Sequence, residues 1–201
     1  MAYVVTYIEV QADSTLQATR LIEDYRKTSS GDEGNSEIEV LQEISRKNRF
    51  VLMEAWRDEL SLQAHQLTER TAQFRSQLRE IHNSPDDQRV HHNFAVGPVK
   101  SNSPGTLFIV THVDVPPPRR EETEILLKNE AEQSRSDQGN TRYDVFQQSA
   151  RLNHFTIVSA WDRESSFSSH EQTPHTRGFR EALGPMLGAL YDERLYKTVT
   201  S

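Results

Sequence analysis

Shifting the chain by 105 positions lays residues 3–83 onto residues 108–188 without a gap. In that register Tyr3-Val4-Val5-Thr6 falls on Phe108-Ile109-Val110-Thr111, and Gly34-Asn35 on Gly139-Asn140. Phe50 falls on Phe155, Ala55-Trp56 on Ala160-Trp161, His65 on His170, and Phe74-Arg75 on Phe179-Arg180. Of the 81 aligned positions, 23 are identical. One register held over that length points to a duplication, so the 201 residues fold as two copies of one small unit. Charge divides evenly between the halves, with 12 basic and 16 acidic residues in 1–100 and 11 and 14 in 101–201. Neither half is a charged tail. The stretch Gly97-Pro98-Val99-Lys100-Ser101-Asn102-Ser103-Pro104-Gly105 carries turn chemistry throughout. The expected organisation is a first repeat at 1–97, a linker at 98–106 and a second repeat at 107–201.

Each half repeats one pattern of elements. Residues 3–10 are β-branched and aromatic, which predicts a strand. Leu16, Leu21, Ile22 and Tyr25 follow at roughly helical spacing, with Asp13-Ser14 as candidate N-caps. In the second half Pro116-Pro117-Pro118 ends the strand, and a helix with Ile125, Leu126 and Leu127 follows. Residues 37–44 alternate, Ile38, Val40 and Ile44 against Glu37, Glu39 and Glu43, and turn through Ser45-Arg46-Lys47-Asn48 into a second strand at 49–56. Leu67, Phe74, Leu78 and Ile81 predict a second helix over 60–81. Val90 to Val96 closes the first unit as a strand, matched by Leu195 to Val199 in the second.

The order strand–helix–strand–strand–helix–strand is that of a ferredoxin-like α+β unit, with helices on one face of an antiparallel sheet. A bare face has to be covered. The expected arrangement is an intramolecular dimeric α+β barrel in which the two sheets pack face to face; the alternative is two independent beads on a linker.

Composition removes several functions. Acidic side chains outnumber basic ones 30 to 23, for a net charge of -7. That balance argues against a nucleic-acid partner, which calls for clustered Lys and Arg. With no cysteine, the chain has no disulfide, thiolate nucleophile or Cys-ligated metal. No apolar run reaches the roughly 18 residues of a membrane span. Met1-Ala2-Tyr3-Val4-Val5-Thr6 lacks the basic start and apolar run of a signal peptide, so the expected location is the cytoplasm, with no membrane partner. No dinucleotide-binding glycine motif, P-loop or Gly-x-Ser-x-Gly elbow occurs.

Glu33-Gly34-Asn35, the hairpin, Glu54-Ala55-Trp56-Arg57-Asp58 and then His65 together resemble the antibiotic biosynthesis monooxygenase family. The second half resembles it further in His170-Glu171-Gln172-Thr173-Pro174-His175-Thr176-Arg177-Gly178-Phe179, close to that family's His-x-x-Thr-Pro-His-x-x-x-Phe segment. The resemblance covers nearly the whole chain and is more specific for fold than for reaction. It implies a cofactor-independent monooxygenase acting with O2 on a small aromatic molecule, a quinol or a polycyclic phenol. A non-catalytic ligand-binding or stress-related protein of the same fold is the alternative. A haem-degrading oxygenase fits less well, because that branch keeps an Asn on the first strand where this chain has Thr6-Tyr7 and Thr111-His112. The pattern is unevenly kept: Glu54 has Ser159 as its counterpart, and Thr173-Pro174-His175 faces Thr68-Glu69-Arg70. This unevenness suggests that one pocket stays active, that of the second half, and that the other serves as a structural partner.

The expected catalytic set is His170, His175 and Trp161, and the expected substrate-binding set is Trp56, His65, Glu54, Asn140, Tyr143 and Phe179. Each has a plainer reading. The tryptophans suit a pocket wall or a core between sheet and helix; His65 and His170 suit a pocket or a helix cap. Gly34-Asn35 and Gly139-Asn140 suit turns with φ above zero. Tyr143 suits a half-buried strand, and Glu54, two residues before Trp56, shares its sheet face. Zinc is not expected. Five residues separate His170 from His175, which on a straight helix turns the second ring roughly 140° away, and Pro174 interrupts the helix there. His91 and His92 are strand neighbours aimed at opposite faces. No cofactor is expected, and a further homodimer is left open.

Overall fold

The computed structural model describes residues 1–98 and 106–199. It divides into two compact units, one of Met1–His92 with Lys197–Ser201 and one of Asn93–Tyr196. Residues 99–105, most of the expected linker at 98–106, lie outside the described residues.

The first half contributes β1 (Ala2–Val10), α1 (Thr15–Ser29), β2 (Asn35–Glu43), β3 (Arg49–Trp56), α2 (Glu59–Gln66), α3 (Glu69–Ile81) and β4 (His82–Ala95). In unit 1 β1 pairs antiparallel with β3, from Ala2 opposite Trp56 to Glu9 opposite Arg49, and with β4 on its other side. β2 and β3 form the expected hairpin. The resulting order β4-β1-β3-β2 is ferredoxin-like. Ile8, Val10, Val40, Phe50 and Leu52 meet Ala18, Ile22 and Tyr25 of α1 and Phe74, Leu78 and Ile81 of α3 in one core. Alternate residues on the other sheet face, Val5, Leu41 and Val51, are also buried. Burial on both faces explains why β1 and β3 are nearly continuous apolar runs.

The second half repeats the plan with β5 (Leu107–Asp114), α4 (Arg120–Ser134), β6 (Asn140–Gln148), β7 (His154–Trp161), α5 (Glu164–Glu171), α6 (Pro174–Leu183) and β8 (Asp192–Thr198). β5 pairs with β7 and β8, and β6 with β7. In both halves the hairpin is fastened by an asparagine: Asn48 Nδ2 donates to the Val10 carbonyl at 2.8 Å and Asn153 Nδ2 to the Val115 carbonyl at 2.6 Å.

Four expectations need correction. The helix predicted over 60–81 is two helices. Thr68 adopts an extended conformation and its hydroxyl accepts from the Thr71 amide, starting α3 afresh, and Thr173 does the same before Pro174. Leu67, placed on the apolar stripe, caps α2 and is 86% exposed; Leu16 is 74% exposed. Ser14 occupies the N-cap position of α1 without a capping bond from its side chain. β4 begins at His82 rather than Val90, running through exposed Pro85-Asp86-Asp87 with no apolar alternation to announce it. Among the described residues no helix is long and apolar enough to cross a membrane.

Candidate functional site

Each unit gathers the same four side chains at one end of its helices. A Trp closes β3 or β7, a His lies in the last turn of α2 or α5, an Asp sits in the loop after α1 or α4, and a Thr lies in the first turn of α3 or α6. The loop bearing the Asp is set by a glycine at positive φ, Gly34 at 81° and Gly139 at 83°. Its carbonyl accepts the amide of the residue after the Trp, Arg57 at 2.7 Å and Asp162 at 2.9 Å. A Cβ on either glycine would also collide with the serine below it, Ser61 or Ser166. These contacts fix the Asp against the His. His65 Nδ1 lies 2.7 Å from Asp32 Oδ2, and His170 Nδ1 lies 2.7 Å from Asp137 Oδ2. Behind each imidazole lies the Trp ring, at 4.5 Å between centroids in both units.

In unit 1 the other nitrogen is closed off. Tyr25 of α1 places its hydroxyl 2.5 Å from His65 Nε2, and Thr71 Oγ1 lies 3.3 Å from the same atom. With Nδ1–H donated to Asp32, Nε2 accepts from the phenol, whose proton is held by burial and the nearby Glu54 charge. Glu54 Oε1 is 3.7 Å from His65 Nε2 and has no hydrogen-bond partner. Burial pushes the Glu54 carboxyl up to about 7, against Arg75, Tyr25 and Trp56. His65 is pushed down, chiefly by burial, although Asp32 opposes this. Arg70, on the second residue of α3, forms an ion pair with Asp32. That carboxylate is held low because Arg70 and His65 together outweigh its burial.

In unit 2 the same roles fall to different residues. The position of Tyr25 is held by Glu130, which is 2% exposed, and its Oε1 lies 3.9 Å from His170 Nε2. The position of Glu54 is held by Ser159, whose hydroxyl accepts from Trp161 Nε1 at 3.2 Å. β6 supplies a phenol instead, Tyr143, buried at 5% and kept protonated by that burial. Between the units the glutamate thus moves from β3 to α4 and the tyrosine from α1 to β6. His170 Nε2 approaches Thr176 Oγ1 at 3.4 Å, and the residue lines a cavity of about 10 Å³, the volume of about one water molecule. Its lining includes Thr111, Tyr143, His170, Phe179, Tyr191 and Glu193. Burial holds the His170 imidazole down against the pull of Asp137 and Glu130.

His175 stands where unit 1 has Arg70. Its Nδ1 is 3.0 Å from Glu130 Oε2, and its Nε2 is 3.2 and 3.3 Å from the two oxygens of Asp137. Burial works against a charge on this ring, but the two carboxylates outweigh it and raise its pKa. His170 and His175 do not point apart as they would on a straight helix: the break expected at Pro174 falls between α5 and α6 and brings the ring centroids to 5.6 Å.

Of the expected residues, His170, Tyr143 and Phe179 line the unit 2 cavity. His175 lies beyond Asp137, and Trp161 is fully buried behind His170. Trp161 is not among the residues that line the cavity. Asn140 is turned into its own strand, where its Nδ2 donates to the Arg142 carbonyl at 3.0 Å across a register shift. Trp56, His65 and Glu54 cluster in unit 1. The sequence reading passed over Asp32, Asp137, Thr71 and Thr176, although all four stand at positions identical in the two halves. Tyr25 and Glu130 carried no such signal.

Known proteins place this chain consistently. "Putative monooxygenase YcnE" of Bacillus subtilis is 29% identical over 73 residues, covering 36% of this chain and 77% of that protein. A solved structure described as a putative monooxygenase from Fusobacterium nucleatum covers 99% of this chain and 92% of its own, with a TM-score of 0.87 at 16% identity. One of an anthrone oxidase-like protein covers 99% and 91%, with a TM-score of 0.77 at 14% identity. These likenesses show the duplicated α+β fold. The sequence profile described as antibiotic biosynthesis monooxygenase matches twice, over residues 1–82 and 106–182, and by that double match the chain belongs to the antibiotic biosynthesis monooxygenase family.

Proposed function

We propose that unit 2 carries a cofactor-independent monooxygenase site for a small aromatic substrate, a quinol or an anthrone-like phenol. The observation that supports it is the state of the two histidines. His65 Nε2 is capped by Tyr25 at 2.5 Å, whereas His170, its Nδ1 held by Asp137, lines a cavity and carries no phenol on Nε2. An imidazole fixed in that tautomer is a general base for a phenolic proton. The deprotonated, electron-rich ring then supplies the electrons that reduce O2. For an anthrone-type methylene, one oxygen atom becomes the new carbonyl and the other leaves as water with the two methylene hydrogens. No prosthetic group enters this balance. Tyr143 O–H, held protonated, is placed to donate to an oxyanion on the cavity side of His170. This reading keeps the protein cytoplasmic, with a small aromatic partner and neither nucleic acid nor membrane.

The cavity volume favours a second reading. About 10 Å³ admits no aromatic ring until side chains such as Phe179 and Tyr191 swing aside. A binding module without turnover would share every feature above. Oxygen uptake with a panel of quinols and anthrone-like phenols separates the two. We expect turnover that falls about 10²–10⁴-fold in His170→Ala, the range of a lost general base, and stays near wild type in His65→Ala. Equal losses from both variants overturn the assignment to unit 2. Ligand density beside His170 with no oxygen uptake supports the binding module.

A further inference from the structure

We propose that Asp137, His170 and His175 form a binding site for a divalent transition-metal ion of the zinc class. Their ligand atoms all lie within 4.8 Å of one another. His170 Nδ1 is 2.7 Å and His175 Nε2 3.2 Å from Asp137 Oδ2. Around tetrahedral zinc, with bonds of about 2.0–2.2 Å, neighbouring ligand atoms stand about 3.3–3.5 Å apart. Small movements of two side chains would therefore admit an ion between the three groups. Two nitrogens and one oxygen suit zinc, cobalt or nickel better than calcium or magnesium. Side-chain exposures of 14% for His175 and 20% for Asp137 leave a path from solvent and room for water as a fourth ligand.

Two further observations point the same way. The remote nitrogens of both rings face one buried carboxylate. Glu130 Oε2 lies 3.0 Å from His175 Nδ1, Oε1 lies 3.9 Å from His170 Nε2, and Thr176 Oγ1 donates to Oε1 at 2.9 Å. A carboxylate behind the imidazole is the usual means by which proteins orient a metal-binding histidine. The duplication supplies the other. In unit 1 the Asp at this position carries a permanent cation, Arg70. In unit 2, among the described residues, no Arg or Lys forms an ion pair with Asp137 or Glu130, whose ion-pair partners are imidazoles. A divalent ion would supply at Asp137 the positive charge that the Arg70 guanidinium supplies at Asp32 in the sister unit.

Metal on Nδ1 of neutral His170 leaves the ring proton on Nε2, which turns that atom from acceptor to donor. The metal-bound form would then lack the base invoked above. This consequence rests on the oxygenase reading, whereas the binding itself does not.

The test is a titration of the metal-stripped full chain with Zn²⁺ against a chromophoric chelator, with Co²⁺ absorption as a second readout. We expect one ion per chain at micromolar affinity or tighter. His175→Arg, which copies unit 1, should weaken binding at least ~100-fold while the far-UV spectrum and thermal unfolding stay those of a folded protein. If that variant does not fold, His175→Gln serves in its place. Failure of the wild-type chain to bind either ion, or binding that survives both substitutions, overturns the proposal.

Discussion

In unit 1 the imidazole is hydrogen-bonded at both ends, to Asp32 and to Tyr25, and in unit 2 it is held by Asp137 while Thr176 at 3.4 Å and Glu130 at 3.9 Å are the neighbours of its Nε2. The Trp behind the ring, the Thr beside it and the glycine that sets the Asp loop are shared. What differs is which element supplies the buried carboxylate. In unit 1 it comes from β3 as Glu54, leaving α1 to supply the capping phenol. In unit 2 it comes from α4 as Glu130, and the phenol moves to β6, farther from the ring, with 6.1 Å between the Tyr143 and His170 centroids. The comparison teaches that a duplicated unit can keep a buried carboxylate near its imidazole while adding or removing the phenol on the one atom on which chemistry depends.

The largest effect should come from making unit 2 resemble unit 1. Glu130→Tyr places a phenol where Tyr25 stands and closes His170 Nε2. We expect oxygen uptake to fall about 10²–10⁴-fold, as for loss of the base itself. Tyr25→Phe, in the other unit, should leave turnover near wild type. Turnover retained in Glu130→Tyr, or lost in Tyr25→Phe, would break the comparison.

The parts of this arrangement that could be read in advance are those the duplication repeats. Trp56 and Trp161, His65 and His170, and the Gly-Asn turns recur as identities, and periodicity gave the strands. The β2–β3 hairpin formed where its alternation ended. The exchange of Tyr25 for Glu130 was not readable, because its two members differ in type and sit on helix faces that share no motif. It becomes visible only when α1 and α4 are seen to lean over the histidines. The break between α2 and α3 was also obscured. Leu67 fits the apolar spacing but is a capping residue exposed to solvent, and Thr68 acts through a backbone conformation rather than through hydropathy. In the second half the same break has Pro174 to mark it, but a break alone does not say that the rings of His170 and His175 come together across it.

A second expected difference is a stability that depends on pH through unit 1. The Glu54 carboxyl is raised by burial from 4.5 to about 7. A folded pKa above the unfolded one means that the protonated form is favoured by folding. That contribution is fully present below about pH 4.5 and is lost as pH rises through 7. A shift of that size corresponds to about 3 kcal/mol at most. Unfolding by urea at pH 5.5 and at pH 8.5 should show it, and Glu54→Gln should remove it, since a neutral amide has nothing to titrate. An unchanged pH profile in that variant would place the effect elsewhere.

The smallest effect separates helix mechanics from chemistry at the same break. Pro174 begins α6 at a position where the missing amide costs nothing, and Thr173 before it is extended, as a residue preceding proline prefers. Unit 1 has Glu69 there, preceded by Thr68 with φ -67° and ψ 146°, a conformation equally compatible with a following proline. Glu69→Pro should therefore stabilise the chain by about 0.4–1 kcal/mol through the lost freedom of the unfolded state. The exposed contact from Gln73 to Glu69 at 3.0 Å is lost in exchange, which trims the gain. The measurement is the urea midpoint at constant m-value. A higher midpoint with unchanged turnover means that Pro174 belongs to the architecture of its helix start and takes no part in the functional difference between the units. A lower midpoint would mean that the α3 start needs its Glu69 amide or carboxylate, and that the two helix starts are less alike than their capping threonines suggest.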